Sequence, residues 1–346
     1  MRRLIVIILL GLFTISCGED NLVSSTGGVG GDEIYSGGVP RDGIPALTNP
    51  DILSFDEATY LFDTDLVIGV EIGGHARAYP VKILNYHEIV NDNLGGNDIC
   101  VTYCPLTGSG ISFRRLIDDQ YLEFGVSGML FRNNLIPYDR STESLYSQMF
   151  SRGIRGENYN ENLPLIATTR CTWGYWKTHH PQTTAISLNT GYSRDYNSNP
   201  YGDYPVSLRI LFPVRFPNSR FHPKHLTLGI RSGDQAMAIP AMSLFGDKIA
   251  NITFNETPVV AVYDVAGKMM TAFSSVVNGD TLTFTETPGG GAFVWMIDAQ
   301  TNSVWTSRGI AVDGPLSGQR LTQLSAYSAY WFAWLDFYPG TGVYPE

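Results

Sequence analysis

The chain repeats itself. The stretch L-V-I-G-V-E-I-G-G-H-A-R-A-Y-P from Leu66 corresponds to L-T-L-G-I-R-S-G-D-Q-A-M-A-I-P from Leu226, an offset of 160. Tyr138-Asp139-Arg140-Ser141-Thr142-Glu143-Ser144 answers Ile297-Asp298-Ala299-Gln300-Thr301-Asn302-Ser303, and Ser151-Arg152-Gly153-Ile154 answers Ser307-Arg308-Gly309-Ile310. W-G-Y-W-K-T-H-H-P-Q-T from Trp173 matches W-F-A-W-L-D-F-Y-P-G-T from Trp331. A unit used twice must be able to bury its apolar face against its own copy, which narrows the folds open to the chain.

Within each copy the apolar pattern has period two and is broken by turn residues. Gly73-Gly74, Gly95-Gly96, Asp118-Asp119 and Asn278-Gly279 read as hairpin turns. Helical stretches are few: F-D-E-A-T-Y-L from Phe55, and one turn after Pro80, with proline in the first helical position. The expected fold is mainly β, two tandem antiparallel β units related by a pseudo-twofold, with few short helices. The first repeat spans 43–186 and carries the candidate site, an insert spans 187–225, and a chemically degenerate second repeat spans 226–346.

With 43% hydrophobic and 16% charged residues the chain is no disordered polymer. A net charge of −10 has the wrong sign for a nucleic-acid partner. Residues 1–17, two arginines, a short apolar run and Ser16-Cys17, form an export signal too short for a comfortable membrane span. Ser16-Cys17 resembles a bacterial lipoprotein cleavage box, with Thr14 where that box usually has Leu. Cys17 would carry the lipid, and the Gly/Ser-rich stretch 18–42 would be a flexible spacer ahead of a fold beginning near Val39-Pro40. The implied location is the cell envelope, outside the cytoplasm, on the outer membrane or a periplasmic face.

Duplication supplies an internal control: residue types kept in both copies serve the fold, whereas a polar residue in one copy alone is a candidate for chemistry. Trp173 and Trp176 recur as Trp331 and Trp334, so they belong to packing. In the first copy N-Y-H-E-I-V-N-D from Asn85 leads through Gly95-Gly96 to D-I-C-V-T-Y-C-P-L-T-G-S-G. A two-residue turn pairs Leu94 with Asn97, Asn91 with Cys100 and, extended, His87 with Cys104. A register slip would set Glu88 against Cys104 instead. The corresponding residues of the second copy are Asp247 and Asp264.

Three readings follow. Cys104 is a nucleophile activated by His87, with Asn85, Asn91 or another amide orienting the ring. His87, Cys104, His179 and His180 hold copper or zinc. Or thiol and imidazole are packed core residues, and the protein is a structural or interaction module. His179 and His180 align with Phe337 and Tyr338, which suits space-filling rings. A Cys100–Cys171 disulfide is one way to use the remaining cysteines. The insert's N-T-G-Y-S-R-D-Y-N-S-N-P-Y-G-D-Y from Asn189, with Arg194 and Asp195, is either a polar rim over a ligand cleft or a connection whose charges are paired.

G-I-P-A-L from Gly43, A-R-A-Y-P, H-E-I-V-N-D, T-Y-C-P-L-T-G, F-G-V-S-G from Phe124, Y-D-R-S-T, S-R-D-Y and the W-x-x-W before H-H-P resemble the bacterial and archaeal family named domain of unknown function 3179. The resemblance runs from about Gly43 to the C-terminus and implies an exported, often lipid-anchored protein, but no reaction. It singles out His87, Glu88, Asn91, Asp92, Tyr103 and Cys104. Many members carry Y-C-P-L-C where this chain has Thr107, which counts against dithiol chemistry here. The leading expectation is binding of a small ligand or soft metal ion, copper or zinc, at the first repeat.

Overall fold

The structure, a computed structural model, describes residues 33–117, 119–233, 235–287 and 293–345. The export signal, Cys17 and the spacer up to residue 32 lie outside the described residues. The fold is mainly β, built from several largely antiparallel sheets with, among the described residues, three short α-helices, α1 (Val81–His87), α2 (Trp173–His179) and α3 (Trp331–Phe337).

Element by element, the two stretches that resemble each other in sequence run in one order. Strands Leu66–Ile72 and His75–Pro80 form a hairpin, as do Leu226–Ser232 and Gln235–Pro240, with Glu71 opposite Ala76 and Arg231 opposite Ala236. Gly73 and Gly74 have φ of 57° and 84°, the left-handed geometry that a two-residue turn demands. A three-stranded meander follows, Ile89–Leu94, Asn97–Cys104 and Ser109–Arg114, matched by Ile249–Phe254, Thr257–Asp264 and Met269–Ser274. Each repeat then has a four-stranded meander, a strand returning to the first hairpin, and a helix carrying the W-x-x-W pair.

The tryptophans explain why the hairpins carry a central glycine. Trp176 lies on Gly69 and Trp334 on Gly229, so closely that a methyl group at either glycine would overlap the indole. All four W-x-x-W indoles are buried. The repeats also interlock. Trp173, Tyr175 and Trp176 pack with Val260, Phe273 and Trp305 of the second repeat, while Trp331 and Trp334 pack with Phe124, Tyr146 and Met149 of the first. Reciprocal backbone bonds cross the seam: Thr172 N–H donates to Gly267 O at 2.8 Å, and Tyr330 N–H to Thr107 O at 2.7 Å.

Three expectations need correction. The Phe55 segment forms hydrogen-bonded turns rather than a helix, because Glu57 accepts bonds from the Ser54 amide and hydroxyl and closes a tight loop. Pro80 ends a strand as the N-cap of α1, so Val81 is the first helical residue. Folded structure starts before Val39, since Ile34–Ser36 pairs with Met129–Phe131 inside the stretch assigned to the spacer.

Replacing Gly69 or Gly229 by Ala should destabilise the protein by about 1–3 kcal/mol or more, because neither indole can withdraw from a filled core. Urea unfolding of each variant checks this, and a wild-type midpoint would contradict the packing argument.

Candidate functional site

Helix α1 does not run on into the following strand. Glu88 closes it at φ 57°, ψ −32°, its N–H bonded to Leu84 O at 2.8 Å while its carbonyl accepts from Tyr103 N–H at 2.8 Å. Lys248 does the same in the second repeat, with φ 58° and bonds to Leu244 and Tyr263. The kinked backbone therefore belongs to the shared fold, and what differs is the side chain. In the first repeat a buried carboxyl stands there; in the second, a more open ammonium reaches Glu286 at 2.6 Å.

The kink corrects the expected pairing of His87 with Cys104. The register holds from Leu94 opposite Asn97 to Ile89 opposite Thr102, with Asn91 opposite Cys100, but His87 is the last residue of α1 and turns away. Its Nδ1–H donates to Pro45 O at 2.7 Å, which leaves Nε2 to accept from the Tyr196 hydroxyl at 2.6 Å. That hydroxyl in turn accepts from Thr190 Oγ1 at 2.6 Å. Burial holds the imidazole below its ordinary pKa and keeps it neutral. His87 thus fastens the insert to the first repeat and is no base for Cys104.

Glu88, rather than His87, is the ionisable side chain whose charge acts on the thiol. Its carboxyl is buried and accepts one side-chain hydrogen bond, from the Tyr201 hydroxyl at 3.0 Å. Burial pushes it up to about 7, against the lowering effect of Tyr201. Cys104 ends its strand but is 1% exposed, its Sγ 3.8 Å from Asn133 O. Burial and then the Glu88 charge raise the thiol to about 11, so it is neutral at ordinary pH and a poor nucleophile. Tyr201 and Tyr204 come from the insert, Tyr103 from the strand and Tyr330 across the seam, and all four lie within electrostatic reach of Cys104. Tyr204 donates to Leu106 O at 3.1 Å, and Lys224 Nζ sits 3.8 Å from the centre of its ring, tying both parts of the insert down.

The other candidates are placed elsewhere. Asn91 clamps the Phe124 backbone, donating to its O at 2.8 Å and accepting from its N–H at 2.9 Å. Asn251 clamps Phe284 identically, so this amide holds two meanders together in both repeats and is not an orienting group for a thiol. Asp92 is engaged by Arg77 at 2.6 Å and Tyr79 at 2.7 Å. Arg194 and Asp195 are exposed, and Arg194 forms no ion pair among the described residues. His179 stacks on Tyr175 and His180 on Trp176, at 4.1 and 3.8 Å, within the cluster that includes Trp305 rather than with Cys104. The expected metal set does not converge, and among the described residues no three His, Cys, Asp or Glu side chains gather around one point. Cys100, Cys104 and Cys171 are all free and buried, Cys100 and Cys171 in different core clusters, which corrects the Cys100–Cys171 disulfide.

A buried network beside Cys104 escaped the sequence reading. Gln148 Nε2 donates to Thr102 Oγ1 at 2.9 Å, while its Oε1 accepts from Ser109 at 2.7 Å and Asn134 at 2.6 Å. Thr107 bonds Ser109 at 2.8 Å and accepts from Asn134 at 2.9 Å. The second repeat has Val262 and Met269 where the first has Thr102 and Ser109, from their matching registers. Gln148 lies in three residues, 148–150, that the second repeat lacks between Thr306 and Ser307. The fall in offset between the Tyr138 and Ser151 anchors, from 159 to 156, was the available signal.

The family model described as protein of unknown function (DUF3179) matches residues 41–341. No curated protein and no solved structure matches the chain.

Glu88 holds a proton in the folded protein at pH values where the unfolded chain, near 4.5, has released it. Its contribution to stability is therefore full below about 4.5 and lost as pH rises through 7. Relative to wild type, Glu88→Gln should gain on the order of 3 kcal/mol between pH 4.5 and pH 8. Unfolding by denaturant at the two pH values measures it, and a difference independent of pH would count against a raised carboxyl.

Proposed function

We propose, from the premise that the chain belongs to the DUF3179 family, that it is an exported, lipid-anchored binding protein. Its first repeat takes a small polar ligand at Glu88, beneath the tyrosines of the insert. The observation that carries this reading is the Glu88 carboxyl: buried, poised to ionise near 7, and held by a single donor. An ionised carboxylate has room for about four hydrogen bonds, so a ligand bringing positive charge and N–H donors would satisfy what the protein leaves open. Aromatic faces beside a carboxylate suit a small amine, and a chain of net charge −10 attracts cations. Tyr201 holds the carboxyl, and its neighbours 197–200 are exposed, irregular backbone.

The thiol contributes a wall of this site. A cysteine nucleophile is the weaker reading, because the imidazole is tied to Pro45 and Tyr196 and the thiol is neutral. A copper or zinc ion would have Cys104 and Glu88 as donors but no third His, Cys, Asp or Glu among the described residues. The second repeat, with Lys248 and Asp264 at these positions, supplies the fold without the site. The export signal and Cys17 support a tether in the cell envelope.

Thermal-shift titration with primary and quaternary amines, and separately with Zn2+ and Cu+, tests the reading on wild type, Glu88→Gln and Cys104→Ser. An amine should stabilise wild type saturably, more at pH 8 than at pH 6, because ionised Glu88 is the partner. Glu88→Gln should abolish the shift and Cys104→Ser should keep most of it. A metal shift lost in both variants, with no response to amines, would replace the small-molecule reading by the metal one.

A further inference from the structure

The two first hairpins place Glu71 and Arg231 at corresponding positions, opposite Ala76 and Ala236. Each faces an arginine from the Ser-Arg-Gly-Ile stretch of the other repeat. Around Glu71 the arrangement is closed: Arg308 NH2 lies 2.7 Å from its Oε2, and His180, stacked on Trp176, completes a cavity of about 80 Å3. Around Arg231 the facing residue is Arg152, and Tyr338, 4.4 Å from Trp334, takes the place of His180. This second cavity is larger, about 540 Å3, and is also lined by Phe150, Asn162 and Thr341.

The exchange of Glu71 for Arg231 removes the internal anion. Neither Arg152 nor Arg231 forms an ion pair among the described residues; Arg231 bonds the Tyr327 hydroxyl, while its buried Nε has no hydrogen-bond partner. Two guanidinium groups without a carboxylate repel each other and leave donors unused, in a protein that is otherwise acidic. We propose that this cavity binds a small organic carboxylate between the Arg231 and Arg152 side chains, supplying the anion that Glu71 supplies in the related cavity. Arg231 and Arg152 bring positive charge to it from the two repeats, and Phe150 and Phe337 provide a surface for an apolar remainder. The related cavity argues for carboxylate over phosphate, because it shows which anion this geometry accommodates. The site is separate from Glu88 and does not rest on the reading of that residue.

Isothermal titration calorimetry of the purified protein with benzoate, acetate and inorganic phosphate tests the proposal. Benzoate should bind saturably and more tightly than acetate or phosphate. Arg231→Glu installs the acid that the related cavity already carries, so it should fold, keep or raise the melting temperature, and weaken benzoate at least about tenfold by occupying Arg152 itself. Arg152→Gln, at an exposed position, should also weaken benzoate and serves if Arg231→Glu fails to fold. Absence of saturable benzoate binding, unchanged affinity in both variants, or preference for phosphate would overturn the proposal.

Discussion

An indole laid on a bare backbone is the contact from which the architecture follows. Because Gly69 and Gly229 have no side chain, Trp176 and Trp334 can approach their hairpins, and helices α2 and α3 come with them. Both helices then present their remaining aromatic faces to the other repeat, so the two halves interlock. The bond from Tyr330 N–H to Thr107 O is one consequence, and it brings a tyrosine of the second repeat close to the Cys104 turn. The candidate site is thus built at the seam, from the first repeat, the insert and one residue of the second.

On this matched frame the chemistry is unequal. The positive-φ residue after the first-hairpin helix or turn is Glu88 in one repeat and Lys248 in the other, with the same backbone bonds. Burying the glutamate costs free energy that burial of an apolar side chain would not, as its raised pKa records. The neighbouring Thr102, Ser109, Asn134 and Gln148 network, by contrast, is well bonded and serves to rigidify one wall. A cost retained in one repeat and absent from its counterpart is what a binding site looks like against its own scaffold.

The strand hairpins, their turn residues and the order of elements could be read from period-two alternation and glycine pairs, since those signals are local. The Asn91 opposite Cys100 register followed from one turn for the same reason. What failed at His87 was the assumption that the ladder extends through it: one residue at positive φ ends α1 and resets the chain, and glutamate is not a residue that advertises such a conformation. Asn91 invites a chemical reading because its counterpart Asn251 lies between the aligned blocks, where the resemblance of the two copies does not reveal it. Tyr201 and Tyr204 were inside the segment marked as a polar rim, but which of them would reach Glu88 depends on the path of an irregular loop, and no periodicity encodes that.

The central claim is that one glutamate carboxyl in the folded protein is set apart from the rest. Carbon-13 NMR titration of the glutamate side-chain carboxyls, with Glu88→Gln supplying the assignment, measures it without any ligand. One resonance should titrate near 7 and vanish in the variant. If the Glu88 resonance instead titrates with the ordinary glutamates near about 4.3, the carboxyl is solvated and the site described here does not exist.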